Sequence, residues 1–257
     1  MIGGGFIGLE LASSARKLGT EVAVIEALPH LLTRGVPAEI AGVLHERHVA
    51  EGVSFHFDAR ISGIADVGVV LSNGTMVRAD RVVVGIGTVP NTELAGAAGL
   101  AVDNGIAVDT TLATSDPDIF AAGDCCSFPH PLYDGRRVRL ESWRSAQAQG
   151  TFAARNMLGA GEPISDVPWF WSDQYDLSLQ IAGLAEGAVT HVRREPKDDA
   201  FVLFHLGPDG RLLAASGLGP GNAVAKDIRL AETLIARRAH PEPTALADPA
   251  VNLKRLL

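Results

Sequence analysis

Cysteine is nearly absent: the 257 residues hold only Cys125 and Cys126, side by side. No C-x-x-C spacing exists, so neither a redox dithiol nor a zinc knuckle can be built from this sequence, and a reducing, cytoplasmic compartment is the natural expectation. Basic residues are also in deficit, 22 Lys and Arg against 30 Asp and Glu, for a formal net charge of −8. Non-specific nucleic-acid binding needs concentrated positive charge, so nucleic acid is not an expected partner. No apolar run approaches the ~18 residues of a membrane span, and the N-terminus lacks a signal-peptide pattern, so no membrane partner is expected. Repeats and low-complexity tracts are missing as well. What remains is globular in composition, 47% hydrophobic and 20% charged, with 28 glycines that imply many tight turns. The length suits one large domain or two smaller ones.

The informative glycines come first. Gly3, Gly5 and Gly8 form a G-x-G-x-x-G turn, although only Met1 and Ile2 precede it, where a strand of about five or six residues is usual. In such a turn the first glycine allows the bend, the second lets the backbone approach a pyrophosphate, and the third lets helix and strand pack closely. Leu9, Leu11, Ala12, Ala15 and Leu18 then make a helical stripe ending at Gly19. The segment Glu21–Glu26 reads as a buried strand closed by an acid, with Glu26 standing 18 positions after Gly8, where a ribose-binding carboxylate is expected. A carboxylate there favours NAD over NADP, tempered by His30 and by Arg34, which is a candidate cofactor contact or a solvated loop residue. Glu10 is placed by this pattern in the first helical turn, where the helix dipole alone favours an acid.

Further along, residues 38–50 read as a helix whose His45 and His48 lack zinc-site spacing and are expected on an exposed face. Asn73-Gly74 predicts a type I′ hairpin between 69–72 and 75–78. Residues 81–87 predict a buried strand with two glycines at its exit, and 118–124 an apolar strand ending in Gly-Asp. A helix is expected from about Ser142 to Leu158, a linker over 159–168, then the aromatic run Pro168–Trp171, a second hairpin turning at 207–210, and a final helix with Val224, Ile228, Ala231 and Ile235 on one face.

Four stretches, GGGFIGLELA, VVVGIGTVPNTELA, IFAAGDC and VPWFWSDQYDLSLQIAG, together resemble the FAD-dependent, NADH-using ferredoxin reductases of bacterial oxygenase systems, as does the closing LADPAVNLKRLL. The glycine and A-A-G-D segments mark the wider pyridine nucleotide-disulphide oxidoreductase superfamily, and W-F-W-S-D-Q followed by L-Q-I-A-G narrows the resemblance to the ferredoxin-reductase branch. It extends over essentially all of this sequence but only the C-terminal part of the family's length, so an N-terminally truncated chain is expected, without the first FAD-binding glycine turn.

The resemblance implies an α/β fold: a Rossmann-like NAD(H)-binding domain over 1–87 with its first strand truncated, the C-terminal part of an FAD-binding domain over 88–163, and a small α+β C-terminal domain over 164–257. By the same resemblance Gly3, Gly5, Phe6, Ile7 and Gly8 would hold the NAD pyrophosphate, Glu26 the adenosine ribose and Gly87 the far side of the cofactor. Glu10 would stand beside the nicotinamide as the catalytic-site residue. Asp124 would bind FAD, and Glu141, Ser142, Trp143 and Trp171 would approach the isoalloxazine. The implied reaction carries electrons from NADH through FAD to a [2Fe–2S] ferredoxin that serves an oxygenase, with no metal site of its own. Arg136, Arg137 and Arg139, or Arg193 and Arg194, are candidates for a basic face toward an acidic ferredoxin. Alternatives are an NAD-binding module without stable FAD or redox activity, or a reductase of rubredoxin or of a nitrite reductase. Loss of half the FAD domain also predicts marginal stability or self-association.

Overall fold

Met1 to Gly3, short as they are, make the ladder contacts of a central strand. Ile2 donates to Val83 O and accepts from Gly85 N, both at 2.8 Å, while Gly3 N reaches Ile25 O at 2.8 Å and Met1 O accepts from Ile25 N at 2.9 Å. This computed structural model describes residues 1–33, 35–197 and 199–257. The chain divides into two compact units, one of Met1–Thr88 with Ser172–Leu179 and Leu218–Gly221, the other of Val89–Trp171 with Gln180–Gly217 and Asn222–Leu257.

In the first unit, α1 (Phe6–Lys17) leads to β1 (Ala23–Ile25), and α2 (Ala38–Ala50) leads to β2 (Ser54–His56). β1 and β2 pair in parallel, and Ile2 bridges Ile25 and Val84, again in parallel. In chain order the four parallel segments therefore lie 3-2-1-4, the order that places a ligand site where the sheet changes direction. Ile2, Ile25, Val69, Leu71 and Val77 pack on one side, and Ala12, Val24 and Val53 on the other. The antiparallel sheet β3 (Ile61–Ala65), β4 (Gly68–Leu71) and β5 (Met76–Arg78) follows β2.

Three expectations of this unit are corrected. The 81–87 segment is not a buried strand: it forms a single bridge at Val84, and Val83, Val84 and Ile86 are 43%, 54% and 71% exposed, because among the described residues only the short Met1–Gly3 segment pairs with it. The Asn73-Gly74 hairpin is not type I′, since only Gly74 has a positive φ, +85°, and Gly74 N returns to Leu71 O at 2.9 Å. That is a tight turn followed by one left-handed glycine, another common hairpin closure. Finally, α1 begins at Phe6 with Gly5 as its cap, so Glu10 lies beyond the first turn.

The second unit contains α3 (Glu93–Ala97), β6 (Ile106–Ala107), β7 (Cys126–His130), β8 (Arg136–Val138) and α4 (Trp143–Met157). Val108, Leu112, Cys126, Phe128 and Ala153 form its first core. Residues 118–124 are not a strand but an irregular segment with one bridge, Ala113 to Phe120. A five-stranded sheet follows in the order β11-β12-β13-β10-β9, made of β9 (Trp169–Gln174), β10 (Leu177–Gly183), β11 (Thr190–Lys197), β12 (Ala200–Leu206) and β13 (Leu212–Pro220). All seven residues of β12 are buried. Then come α5 (Ala225–Ala236), whose Val224, Ile228, Ala231 and Ile235 join the sheet's core as the spacing predicts, and α6 (Pro243–Ala247). No helix among the described residues is long and apolar enough to cross a membrane.

Candidate functional site

The glycine turn sits at the C-terminal ends of the parallel segments, and its three glycines answer to different constraints. Gly3 has φ +102°, and a Cβ there would stand 2.3 Å from Gly85 O. A Cβ on Gly8 would stand 2.2 Å from Gly3 O. Both are glycines because neighbouring backbone occupies the space a side chain would need. Gly5 is different: its φ is −82° and a Cβ would meet nothing within 4 Å. The opening in front of Gly5 faces the start of α1, where Phe6 and Ile7 begin the helix and backbone N–H groups and dipole favour an anion. Gly87, with φ +111° and open space around it, follows two residues after the Gly85 carbonyl that backs onto Gly3. The opening fits a pyrophosphate.

Glu26 ends β1 against this turn. Its Oε2 accepts from Gly4 N at 2.7 Å and its Oε1 from Leu28 N at 2.9 Å, so the carboxylate braces the turn and the following loop together. Leu32 N closes on Gly4 O at 3.2 Å, with Leu31 buried beneath. Each carboxylate oxygen keeps a further lone pair that can accept a ribose hydroxyl. Arg34 lies outside the described residues.

Glu10 is held from the segment 172–175. Ser172 Oγ donates to Glu10 Oε1 at 2.6 Å, and Gln174 Nε2 donates to Ser172 Oγ at 3.1 Å. Behind Gln174 stands His48, with Nε2 2.9 Å from Gln174 Oε1 and Nδ1 3.0 Å from the Tyr175 hydroxyl. His48 is fully buried, which corrects its expected place on an exposed face, and burial holds its pKa below the ordinary imidazole value. The signal was present: Ile40, Leu44 and His48 follow at helical spacing of four and share the buried face of α2. Ser172 and Gln174 fall in the W-F-W-S-D-Q stretch that narrows the resemblance, but no spacing there points to their hydrogen bonds with Glu10 and His48.

The remaining candidates lie in the second unit. Ser142 caps α4, accepting from Ser145 N at 3.3 Å. Buried Gln149, which sequence reasoning missed, accepts from Gly123 N at 2.7 Å and from the Cys126 thiol at 2.9 Å, and donates to Ser145 Oγ at 2.9 Å. It fastens the turn before Asp124 to the start of α4. Asp124 is exposed, and Arg139 links it to Glu141 by donating to the Asp124 carbonyl at 3.4 Å while pairing with the Glu141 carboxylate. Trp143, 68% exposed, meets Trp171 edge-on with ring centroids 6.5 Å apart, and Trp171 lies 5.5 Å from Trp169. Burial raises the Cys126 pKa to about 12, which removes it as a nucleophile.

The basic-face expectation is corrected at Arg194, which is 5% exposed in its side chain and bonds Asp227 Oδ2 at 2.9 Å. Its other donors reach the carbonyls of Leu246, Asp248, Pro249 and Val251. Arg136 pairs with Glu186 at 2.8 Å, and Arg193 with Glu195 at 2.8 Å.

Residues 1–150 match the family described as pyridine nucleotide-disulphide oxidoreductase, and residues 169–257 match the one described as reductase C-terminal. The chain is 46% identical over 262 residues to the ferredoxin–NAD(+) reductase component of the anthranilate 1,2-dioxygenase system of Burkholderia cepacia, covering 100% of this chain and 63% of that protein. It is 39% identical to rhodocoxin reductase of Rhodococcus erythropolis, covering 99% and 60%. A crystal structure of a ferredoxin reductase from Rhodopseudomonas palustris superposes with a TM-score of 0.91 at 38% identity, over 99% of this chain and 63% of that one. The chain thus spans between three fifths and two thirds of the length of these relatives. With its 3-2-1-4 parallel order, glycine turn and terminal reductase module, the chain belongs to the pyridine nucleotide-disulphide oxidoreductase family.

Proposed function

We propose that this chain supplies the NADH-binding portion, part of the FAD-binding portion and the C-terminal module of a cytoplasmic reductase that passes electrons from NADH through FAD to a [2Fe–2S] ferredoxin serving an oxygenase. The observation that carries the reading is the open space at Gly5 between two sterically obligatory glycines, Gly3 and Gly8, at the point where the sheet order reverses. Gly3, Gly5, Phe6, Ile7 and Gly8 hold the dinucleotide pyrophosphate, Glu26 accepts the ribose hydroxyls and Gly87 lets the far half of the cofactor approach. Glu10, kept in place by Ser172, borders the nicotinamide. Asp124 and the α4 start, with Glu141, Ser142 and Trp143, border the flavin, as does Trp171. When bound, the flavin supplies the hydride-to-single-electron chemistry. The side chains bind, orient and exclude water, and none is asked to be a nucleophile. Its relatives include ferredoxin–NAD(+) reductase components of dioxygenase systems, which supports a ferredoxin as the acceptor.

A second reading is an NAD-binding module without stable flavin, favoured because the sequence holds one G-x-G-x-x-G turn, at Gly3, Gly5 and Gly8, which is assigned above to NADH. The test is the visible spectrum of the purified chain after FAD addition and desalting. Retained flavin bands that bleach with NADH support the reductase, and a colourless protein that binds NADH supports the module. Turnover with ferredoxin, rubredoxin and nitrite reductase as acceptors then assigns the partner.

A further inference from the structure

A buried polar path extends behind the Ser172 contact with Glu10. It runs from the half-buried Tyr175 hydroxyl to His48 Nδ1 at 3.0 Å, from His48 Nε2 to Gln174 Oε1 at 2.9 Å, from Gln174 Nε2 to Ser172 Oγ at 3.1 Å, and from Ser172 Oγ to Glu10 Oε1 at 2.6 Å. His48 and Gln174 are fully buried, and Ser172 is nearly so.

Chemistry fixes the direction of every bond. The Gln174 oxygen can only accept, so His48 Nε2 carries the hydrogen. A buried neutral imidazole then has a bare Nδ1, which accepts the hydrogen bond donated by the Tyr175 hydroxyl. The Gln174 nitrogen donates to Ser172 Oγ, leaving the single Ser172 proton for Glu10. Every donor therefore points toward the Glu10 carboxylate, and aligned bonds of this kind polarise one another in a low-dielectric interior. The same segment grips α1 elsewhere on that face: Tyr175 N donates to Ser13 Oγ at 2.8 Å and Lys17 Nζ to Tyr175 O at 2.9 Å. Residues 10, 13 and 17 of α1 are thus all engaged.

We propose that His48 is a positioning residue for Glu10, acting through Gln174 and Ser172 to hold the carboxylate in one orientation toward the nicotinamide. The inference rests on the reading of Glu10 given under Proposed function.

Two measurements on the 257-residue chain test it. Side-chain nitrogen NMR reports the His48 tautomer: the Nε2–H form is expected, with a signal that moves in Glu10→Gln although that substitution lies three hydrogen bonds away. Binding of NADH is then compared with that of ADP-ribose, which lacks the nicotinamide. His48→Phe and Gln174→Leu are expected to weaken NADH about fivefold, the worth of one ordinary hydrogen bond, and to leave ADP-ribose unchanged. His48→Gln, which keeps an N–H toward Gln174, is expected to restore NADH affinity. Should His48→Phe not fold, Gln174→Leu, which separates His48 from Ser172, carries the test with the same expected loss.

An Nδ1–H tautomer, an unmoved signal in Glu10→Gln, or equal losses for NADH and ADP-ribose overturns the proposal. So does wild-type NADH affinity in His48→Phe and Gln174→Leu when Glu10→Gln is weakened. NADH affinity unchanged in Glu10→Gln itself is a different failure: it removes Glu10 from the nicotinamide site and the positioning role with it.

Discussion

Gly3 and Gly5 look alike in the motif and differ in what surrounds them. At Gly3 a side chain would meet the Gly85 carbonyl at 2.3 Å with φ at +102°. Gly3→Ala is therefore expected to destabilise the chain by on the order of 3 kcal/mol, read as a lowered midpoint in urea unfolding. At Gly5 the backbone is ordinary and the space empty. Gly5→Ala is expected to leave the urea midpoint within about 1 kcal/mol of wild type and to weaken NADH binding by on the order of tenfold, because the methyl would occupy the space proposed above for the pyrophosphate. Equal effects of the two substitutions on stability would contradict this division of labour. The motif itself was legible from residue types and spacing. Which glycine is packed against backbone and which borders open space was not, because that depends on Gly85, more than 75 residues away in sequence.

Periodicity located α2, α4, α5 and both hairpins because each buries one face at a fixed spacing. It failed at 81–87 and 118–124, where apolar composition reads as strand but regular pairing is confined to single bridges. It also left Arg194 on a surface. In the fold Arg194, on β11, reaches α5 through Asp227 and the C-terminal tail through four carbonyls. Arg194→Met would leave the Asp227 carboxylate buried without this cation and four carbonyls without this donor. A loss of about 3–5 kcal/mol is expected, seen as a lower denaturation midpoint with β11 and the tail losing amide-exchange protection together. A loss below about 1 kcal/mol would show that the cluster is replaceable.

For the molecule as a whole, buried imidazoles are expected to make stability fall on the acid side. His130 and His205 are each 1% exposed, and desolvation lowers each to about 4. The unfolded chain takes up these protons as pH falls through about 6.5, whereas the native protein refuses them until about 4. Between those values the unfolded state binds more protons, so stability present at pH 7 is lost as pH falls. The expected slope is about 1.4 kcal/mol per pH unit for each histidine. Urea unfolding at pH 7 and pH 5 measures it, and His205→Gln should reduce the slope. An unchanged slope in that variant would assign the acid sensitivity to other groups. The exposed apolar run at Val83, Val84 and Ile86 has Ile7, itself 57% exposed, close to Gly85. Surfaces of this kind associate. Concentration-dependent self-association in sedimentation velocity is expected, reduced in Ile86→Lys, and a monodisperse monomer at all concentrations would count against it.

Local chemistry in the sequence determined the glycine turn, the acid that follows it, most helices and the family resemblance, because each depends on residue types at fixed short spacings. Tertiary structure alone decided that Glu26 braces Gly4 and that Gln149 fastens the turn before Asp124. It also decided that Arg194 is buried and that His48 reaches Glu10 through Gln174 and Ser172. The physical reason is common to all of these. A polar group's role depends on which partner takes its hydrogen bond once water is excluded, and in the path to Glu10 the partners are up to 162 residues apart in the chain.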